Sequence, residues 1–363
     1  MKVAFDHQIF SFQRYGGVSR YFFELASRLP TYGIEAPVVA PLHVNNYLKG
    51  DAARRLTRGK YVPYTFGGIP VVPIVNRFAA PLAWRGVNAD IIHETYFAEK
   101  AFGKGRRRVV TMYDMIYELF PNEFPDATRV TGAKRAAVNR ADHVICISEN
   151  TRRDLVRLFD IDPARTSVVH LGYSMTTETD TLEQDNGERG LSLLYVGNRR
   201  GYKNFSTLLQ AYGSSPVLQE FELIAFGGPP LLPDEHKEIS RLGITDRVRH
   251  ESGSDQELAA RYRAATAFVF PSKYEGFGLP PLEAMNHGCP VVCSNAGSIP
   301  EVVGDAGSYF DPNSPEELRT ALERVVTTQG MRDDLRAHGY ARLAAFSWDK
   351  CAAETARIYR EII

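Results

Sequence analysis

The stretch from Ala267 to Met285 constrains the fold more than any other part of the chain. It opens with four apolar residues, which have the length and composition of a buried strand. Gly276 and Gly278 follow and bracket one aromatic residue, so the backbone there can adopt angles that are closed to other residues. Two consecutive prolines then suit a helix start, where a missing N–H group costs nothing. The stretch therefore predicts a strand, a glycine loop and a helix, in the order found in parallel α/β sheets.

Two carboxylates flank this glycine loop and suggest a ligand for it. Glu275 precedes the loop, and Glu283 is predicted in the first turn of the helix. A helix start directs free N–H groups and a positive dipole into the crevice at the carboxyl end of the strand. In the functional interpretation the loop holds a sugar joined to a diphosphate, with Glu275 on the sugar hydroxyls and Glu283 on a ribose. The alternative is an ordinary helix start that a dipole-favoured glutamate stabilises by about 0.3–1 kcal/mol.

A second strand, loop and helix carry basic groups. Residues 191–197 have the pattern of a strand, and a helix is predicted over about 205–212. The segment between them, residues 198–204, is basic, which suits the neutralisation of a diphosphate. We assign Arg199 and Lys203 as the candidate phosphate contacts, the alternative being a plain basic loop.

Length and composition indicate two domains. The chain has 363 residues, of which 44% are hydrophobic and 24% charged, values typical of a soluble globular protein. A polar stretch at 175–190 is predicted to be the linker or an exposed loop beside it. Strand and helix patterns alternate on both sides of this stretch, as in doubly wound parallel sheets. We therefore predict an N-terminal domain over 1–172, a C-terminal domain over 173–345 and a last helix in 346–363.

We expect the protein to be cytoplasmic. Its cysteines have no paired metal-ligand spacing and are predicted to be thiols in a reducing compartment. An acid at position 6 does not fit a secretory signal, and no apolar run is long enough to span a bilayer.

The two halves of the chain differ in charge although the net charge is zero. Residues 1–172 contain 24 Lys and Arg and 16 Asp and Glu, a net charge of +8. The remaining residues contain 19 Lys and Arg and 27 Asp and Glu, a net charge of −8. The asymmetry suggests that the first half meets an anionic partner, such as a lipid-phosphate acceptor, a membrane surface or nucleic acid. A chance distribution over two solvated surfaces is the alternative. The basic segment Leu48 to Tyr64 is predicted to be either a surface near an acceptor or bilayer headgroups, or a solvated loop and helix.

Four positions in the first half are candidate acceptor or phosphate contacts. A helix pattern from Val18 to Leu29 follows Gly17, whose backbone could leave space for a phosphate or an acceptor, the alternative being a tight turn. Arg14 is a candidate anion contact just before it. His93 and Asp114 end predicted strands, and polar residues there lie where open α/β sheets place their sites. Asp114 could orient an acceptor hydroxyl with His93 nearby, or both could be hydrogen-bonded strand-end residues.

Several motifs together resemble one family, the retaining glycosyltransferases of the family-4 type with the GT-B fold. The most specific is Pro-Ser-x-x-Glu-Gly-Phe-Gly-Leu-Pro-x-Leu-Glu-Ala-Met at 271–285, which is similar to the family's Glu-x7-Glu signature. The others are Gly-Gly at 16–17, Thr-x-x-Asp at 111–114, Ser-Glu-x-Thr at 148–151, Val-Gly-x-x-x-x-x-Lys-Asn at 196–204 and Gly-x-Pro-Val-Val-x-Ser-x-x-Gly-x-x-Pro-Glu at 288–301. The resemblance covers nearly the whole chain. It implies two Rossmann-like domains facing across a cleft, the N-terminal one for the acceptor and the C-terminal one for the nucleotide sugar, with the last helix packing back on the N-terminal domain.

The resemblance also assigns roles to single residues. Lys203 matches the lysine on the diphosphate, Glu275 the carboxylate on the donor sugar and Glu283 the carboxylate on the ribose. The loop whose backbone would touch sugar and phosphate contains Gly276, Phe277, Gly278 and Leu279. The chain departs from the pattern at Asn198, where many relatives have arginine, so Arg199 is the substitute candidate. It departs again at Tyr113, where many relatives have histidine.

The implied reaction is transfer of a hexose with retention and without a bound metal ion or cofactor. The phosphate-loop sequence resembles the mannosyltransferase-like branch, so GDP-mannose is the first candidate donor. A glycan or lipid-linked acceptor in bacterial-type surface polysaccharide synthesis is implied, with peripheral contact at the inner membrane face and no nucleic acid partner. The alternatives are a UDP- or dTDP-sugar donor, a GT-B-fold sugar-nucleotide epimerase, or a catalytically dead nucleotide-sugar-binding subunit.

Overall fold

The computed structural model describes residues 1–50, 53, 55–63, 71–173 and 190–363. Most of the polar stretch at 175–190 and parts of the basic segment at 48–64 lie outside these residues. The chain forms two compact units, one of Met1–Gly172 with Phe346–Ile363 and the other of Tyr173–Ala345.

The first unit is built on a seven-stranded sheet in which every pairing is parallel. The strand order is β3-β2-β1-β4-β5-β6-β7. The strands are β1 (Val3–Phe5), β2 (Val38–His43), β3 (Thr57–Tyr61), β4 (Ala89–Glu94), β5 (Gly105–Met112), β6 (His143–Cys146) and β7 (Thr166–Val168). The order reverses direction between β1 and β4, which makes the carboxyl ends of these strands the expected place for a ligand crevice.

Helices connect these strands, as parallel pairing requires. They are α1 (Gly17–Arg28), α2 (Val71–Ala83), α3 (Ile116–Leu119), α4 (Ala127–Arg140), α5 (Glu149–Phe159) and, from the end of the chain, α13 (Trp348–Glu361). Ser148 caps α5 by accepting a hydrogen bond from the Thr151 N–H, and Ser347 caps α13 by accepting from the Lys350 N–H. In α13, Tyr359 is fully buried in this unit beside His93.

The second unit contains a six-stranded parallel sheet in the order β10-β9-β8-β11-β12-β13. Its strands are β8 (Ser192–Val196), β9 (Glu222–Phe226), β10 (Val248–Glu251), β11 (Ala267–Phe270), β12 (Val291–Ser294) and β13 (Gly307–Phe310). Its helices are α6 (Phe205–Gly213), α7 (Pro233–Arg241), α8 (Asp255–Ala264), α9 (Leu279–Asn286), α10 (Ile299–Val303), α11 (Pro315–Thr327) and α12 (Gln329–Leu343). The order reverses between β8 and β11, the two strands that precede the basic loop and the glycine loop.

The strands at the centre of each sheet are apolar and almost fully buried. Residues of β4, β6, β8 and β11 that are inaccessible to solvent include Ile91, Val144, Leu193 and Phe268. Such continuous apolar runs are expected where helices cover both faces of a parallel sheet. The predicted pair of Rossmann-like α/β domains is confirmed. No helix in the described part of the chain is both long and apolar enough to cross a membrane.

Candidate functional site

Lys203 and Glu275 form an ion pair at the switch point of the second sheet. Lys203 ends a short 3-10 turn after β8, and Glu275 lies in the loop after the neighbouring strand β11. The Lys203 Nζ atom lies 2.7 Å from Glu275 Oε1, and the two side chains are 19% and 11% exposed. Neither group is fully enclosed, so the ammonium can reach a phosphate and the carboxylate can accept from a sugar hydroxyl.

Asn204 connects the loop after β8 with the loop after β11. Its backbone is in the left-handed region with φ at 62°, which asparagine tolerates better than most residues. Its Nδ2 donates to the carbonyl of Pro271 at 3.0 Å and to that of Pro312 at 2.7 Å. The Lys273 N–H also donates to the Tyr202 carbonyl at 2.8 Å, across the same two loops. The positions of the candidate lysine and glutamate are therefore fixed by backbone contacts as well as by their own charges.

The backbone around Glu275 is held by the loop that follows β12. Ser298 is buried, and its Oγ lies 2.9 Å from the Glu275 carbonyl and 2.7 Å from the Phe277 carbonyl. Gly297 has φ at +61°, and a Cβ atom there would lie 2.9 Å from the Glu275 backbone N. Both residues belong to the motif at 288–301, which the sequence singled out without giving them a role. Their function in the fold is to fix the carbonyls on either side of Gly276.

Gly278 precedes the first residue of α9, Leu279, and has φ at +116°, a conformation that favours glycine. Pro280 and Pro281 have no N–H, so among the first three residues of this helix only Leu279 can donate a backbone hydrogen bond to an anion. The Phe277 side chain is buried, so this residue can offer a ligand chiefly its backbone.

Glu283 does not occupy the first helical turn, contrary to the sequence prediction. The helix begins at Leu279, and its first turn holds no acidic residue. Glu283 is therefore one turn past the free N–H groups, and the dipole gives no reason for a carboxylate there. Its Oε2 instead accepts a hydrogen bond from the Tyr262 hydroxyl at 3.2 Å. Burial and the nearby Glu283 carboxylate raise the pKa of Tyr262 well above 10, so this hydroxyl keeps its proton and stays a donor.

Arg199 is held by a carboxylate of α7 and by backbone carbonyls after β9. Its side chain is only 2% exposed and pairs with Glu235 on α7 at 2.8 Å. It also donates to the backbone carbonyls of Gly227, Pro229 and Pro230. The guanidinium thus connects the loop after β8 with the loop after β9, and no local sequence pattern pairs it with Glu235. The expected phosphate contact does not follow from this geometry.

In the first unit, Asp114 is held by a buried lysine. It follows β5, and the Lys134 Nζ lies 2.9 Å from its carbonyl oxygen and 3.2 Å from its Oδ1. The same ammonium contacts Glu118 Oε2 at 3.0 Å. The Lys134 side chain is 2% exposed while that of Asp114 is 28% exposed. A buried ammonium therefore orients the carboxylate, which stays accessible to solvent. Lys134 was missed, although a lysine on the core-facing side of a predicted helix was a usable signal.

His93 is a core residue, which does not agree with its assignment as an acceptor contact. It is inaccessible to solvent, and its ring nitrogens bond to the hydroxyls of Tyr359 and Thr111 at 2.5 and 2.8 Å. Burial lowers its pKa to about 3, so the imidazole is neutral at physiological pH. Gly17 and Arg14, by contrast, are exposed at and before the start of α1.

Within the described residues, no group of three or more His, Cys, Asp or Glu side chains is arranged to hold a metal ion. That the reaction needs no metal remains a prediction.

Comparison with known proteins identifies the family. Residues 15–176 match the model of Glycosyltransferase Family 4, and residues 178–342 match that of Glycosyl transferases group 1. The chain is 32% identical over 272 residues to the O-antigen chain mannosyltransferase B of Escherichia coli, covering 70% of each protein. It is 28% identical over 386 residues to the D-inositol 3-phosphate glycosyltransferase of Streptomyces bingchenggensis, covering 95% of this chain and 85% of that protein.

The fold also matches a solved structure. Anabaena HepE in complex with UDP-glucose superposes with a TM-score of 0.69 at 20% identity, over 99% of this chain and 100% of that one. This chain therefore belongs to the group 1 glycosyltransferases, with the GT-B fold.

Proposed function

We propose that this glycosyltransferase is a retaining, metal-independent hexosyltransferase whose first candidate donor is GDP-mannose. Its acceptor is a glycan or a lipid-linked oligosaccharide of bacterial-type surface polysaccharide synthesis. The observation that carries the proposal is the Lys203–Glu275 pair at the switch point of the second sheet. The similarity to an O-antigen chain mannosyltransferase supports mannose as the first sugar to test.

The donor is held by groups of the second unit. Lys203 donates to the diphosphate together with the Leu279 N–H at the start of α9, and Glu275 accepts from the sugar hydroxyls. Glu283, fixed by the Tyr262 hydroxyl, accepts from the ribose. These groups are positioned before the ligand arrives, so they stabilise the charge on the leaving diphosphate without reorganising.

The transfer takes place on one face of the sugar. The bond between the anomeric carbon and the phosphate oxygen breaks, and the acceptor oxygen bonds to that carbon from the same side. The acceptor proton passes to the leaving phosphate. Glu275 and Glu283 belong to one loop and the helix that follows it, whereas a double displacement needs two carboxylates about 5 Å apart across the sugar. We therefore assign neither of them as a covalent nucleophile.

On the acceptor side, Asp114 is the candidate that orients the acceptor hydroxyl. Lys134 holds one of its oxygens and keeps the carboxylate fixed while the other faces outward. Arg14 is a further candidate for an anionic part of the acceptor, and Gly17 is a candidate for backbone contact with a phosphate of the donor. A phosphorylated cyclitol is a second acceptor class to test, because the relative from Streptomyces is named for D-inositol 3-phosphate.

A nucleotide screen by thermal shift tests the donor site. A nucleotide at 100 times its Kd should stabilise its unit by about 2.7 kcal/mol. We expect one base among GDP, UDP and dTDP, with their sugars, to give a clear shift that Lys203→Ala abolishes. Lys237→Ala is the matched control, because it removes an exposed ammonium from the same unit. A shift that survives in Lys203→Ala, or no shift with any nucleotide, contradicts the assigned site.

Product analysis then separates the rival activities. Consumption of the nucleotide sugar without an acceptor indicates an epimerase, and binding without turnover indicates a dead subunit. Proton NMR of the product gives the anomeric configuration, and an inverted product would overturn the retaining assignment.

A further inference from the structure

Helix α2 presents an apolar face to solvent. Five large apolar side chains on it are between 37% and 73% exposed, with Phe78 the most exposed. They are Val71, Ile74, Val75, Phe78 and Leu82. Their spacing of three, four, seven and eleven residues from the first places them along one stripe of a helix. Solvent exposure of such a stripe is unfavourable, and a contiguous apolar patch of this kind marks an interaction surface.

The helix is locked in this orientation by a polar residue on its inner side. Asn76 is inaccessible to solvent, and its Oδ1 accepts from the Leu42 N–H at 3.0 Å. Its Nδ2 donates to the Leu42 carbonyl and to the Ser11 hydroxyl, each at 2.8 Å. Turning the apolar stripe inward would break these bonds and leave backbone groups of β2 without the Asn76 side chain. The helix is thus apolar on both sides: Val72 and Ala80 are buried beside Asn76, and the larger aliphatic and aromatic groups face outward.

Basic residues surround the stripe. Residues 44–88 contain seven Lys and Arg and a single acid, Asp51. Arg58 on the edge strand β3 pairs in register with Val39, which packs in the same buried cluster as Ala80 of α2. Residues paired in register point to the same face of a sheet, so Arg58 lies on the face that α2 covers, and Lys60, two residues on, lies on it too. Both side chains are exposed. Arg77 on the helix and Arg85 just after it are exposed as well.

We propose that this face docks the N-terminal unit on an anionic lipid bilayer. Arg58, Lys60, Arg77 and Arg85 form a basic rim beside the apolar stripe. An apolar stripe with a basic rim is the composition of helices that lie in the membrane interface, and each cation near an anionic leaflet adds to binding. At 13 residues the helix is about 20 Å long, which suits lying in the interface and is too short to span the core. A symmetric contact with a second copy is disfavoured, because it would bring the two basic rims together. The surface deepens the proposed function, since it specifies how a lipid-linked acceptor would be reached.

Vesicle sedimentation tests the surface directly. We expect the wild-type protein to bind vesicles of phosphatidylcholine with phosphatidylglycerol and to bind pure phosphatidylcholine vesicles less. Ile74→Glu with Phe78→Glu should lower the partition coefficient by about 100-fold, from roughly tenfold for each apolar side chain that no longer inserts. The matched control is Val217→Glu with Tyr340→Glu, which adds the same charge at exposed apolar positions of the other unit and should bind like the wild type.

The basic rim has its own variant. Arg58→Gln with Lys60→Gln should weaken binding to the anionic vesicles and leave the pure phosphatidylcholine vesicles unaffected. Both sites are exposed, so these changes should not disturb folding.

Three outcomes overturn the proposal. One is absence of wild-type binding to anionic vesicles. Another is an equal loss of vesicle binding in the stripe variant, Ile74→Glu with Phe78→Glu, and in its control. The third is a dimer in the wild type that the stripe variant abolishes, which assigns the face to a second copy. Vesicle binding needs no nucleotide, and the nucleotide thermal shift should be unchanged in every one of these variants. Failure of the docking surface is therefore distinguishable from failure of the proposed transferase activity.

Discussion

Lys203 and Glu275 contact each other and are each assigned to a different part of the donor. Their 2.7 Å ion pair means that removing either group also releases the other. The effect of one substitution is therefore not the contribution of one contact.

We expect Lys203→Ala to lower kcat/KM by about 100-fold or more, because it removes a cation from the charge developing on the diphosphate. Glu275→Gln keeps the size of the side chain and should cause a comparable loss, since a neutral amide accepts hydroxyl protons less strongly. The double variant should lose less than the product of the two, because the residues interact. Steady-state kinetics with the donor found by the nucleotide screen measure all three. Full turnover in Glu275→Gln would contradict the site.

Arg199 should behave as a stabilising residue. Arg199→Ala leaves Glu235 without its cation and removes hydrogen bonds to three backbone carbonyls, so we expect a loss of about 2–4 kcal/mol in the free energy of unfolding. Nucleotide affinity should change little, since the Arg199 guanidinium is 2% exposed and already paired with Glu235. Denaturant unfolding and a binding titration measure the two effects.

The double variant Arg199→Ala with Glu235→Leu is the control for this interpretation. It removes the carboxylate that has lost its cation, together with that carboxylate's bond to the Leu232 N–H, and should recover part of the lost stability without altering nucleotide binding. A large loss of nucleotide affinity in Arg199→Ala at unchanged stability would restore the phosphate role predicted from the sequence.

Candidate residues that belong to short sequence motifs can be predicted from the sequence, whereas the residues that hold them in place cannot. The strand, glycine loop and helix containing Gly278 follow from short-range preferences and were read from the sequence. Lys134, Tyr262 and Ser298 contact the candidate residues across 20 or more positions of chain, so no local pattern pairs them. His93 was misjudged for the same reason, because its partner Tyr359 is 266 residues away.

At the scale of elements, α1 was predicted over Val18 to Leu29 and spans Gly17–Arg28. Helix α2 was not identified. Its sequence places apolar residues on most of its circumference, so periodicity could not show which side is buried. The choice depends on Asn76 and its partners on β2 and at Ser11, which are contacts of the folded unit.

The contact between β4 and α13 should make the first unit sensitive to acid. Burial lowers the pKa of His93 to about 3 in the folded state, against 6.5 for the unperturbed side chain. Below about pH 6.5 the unfolded chain binds a proton that the folded chain does not, so stability falls as pH decreases from 6.5 toward 3. Between pH 7 and pH 5 His93 alone should lower the free energy of unfolding by about 2 kcal/mol.

The variant His93→Gln isolates this contribution. The amide can still bond to Tyr359 and Thr111 and does not titrate, so we expect a flatter dependence of stability on pH. Urea unfolding at pH 7, 6 and 5 measures it, with His338→Gln as the control at an exposed histidine. The comparison is needed because burial also lowers the pKa of His7 to about 4 and raises that of Asp6, with opposite effects on acidification. An unchanged slope in His93→Gln would contradict the assignment.

At the scale of the whole molecule, the two units can be followed separately. Both tryptophans, Trp84 and Trp348, belong to the unit of Met1–Gly172 and Phe346–Ile363. The proposed donor groups, Lys203 and Glu275 among them, belong to the unit of Tyr173–Ala345. Tryptophan fluorescence therefore reports on the unit that carries Asp114 and α2, and calorimetry reports on both.

We expect a donor nucleotide to stabilise the two units unequally. At 100 times its Kd it adds about 2.7 kcal/mol to the unit that binds it, which raises the midpoint of that transition by roughly 5–10 °C for a unit of this size. The calorimetric transition of the donor unit should move by this amount while the fluorescence midpoint stays near its value without nucleotide. Lys203→Ala should abolish the calorimetric shift, and Ile74→Glu with Phe78→Glu should leave it intact. Equal shifts of the midpoint by both probes would contradict independent unfolding. A shift seen by fluorescence alone would place the nucleotide on the unit of Met1–Gly172 and Phe346–Ile363.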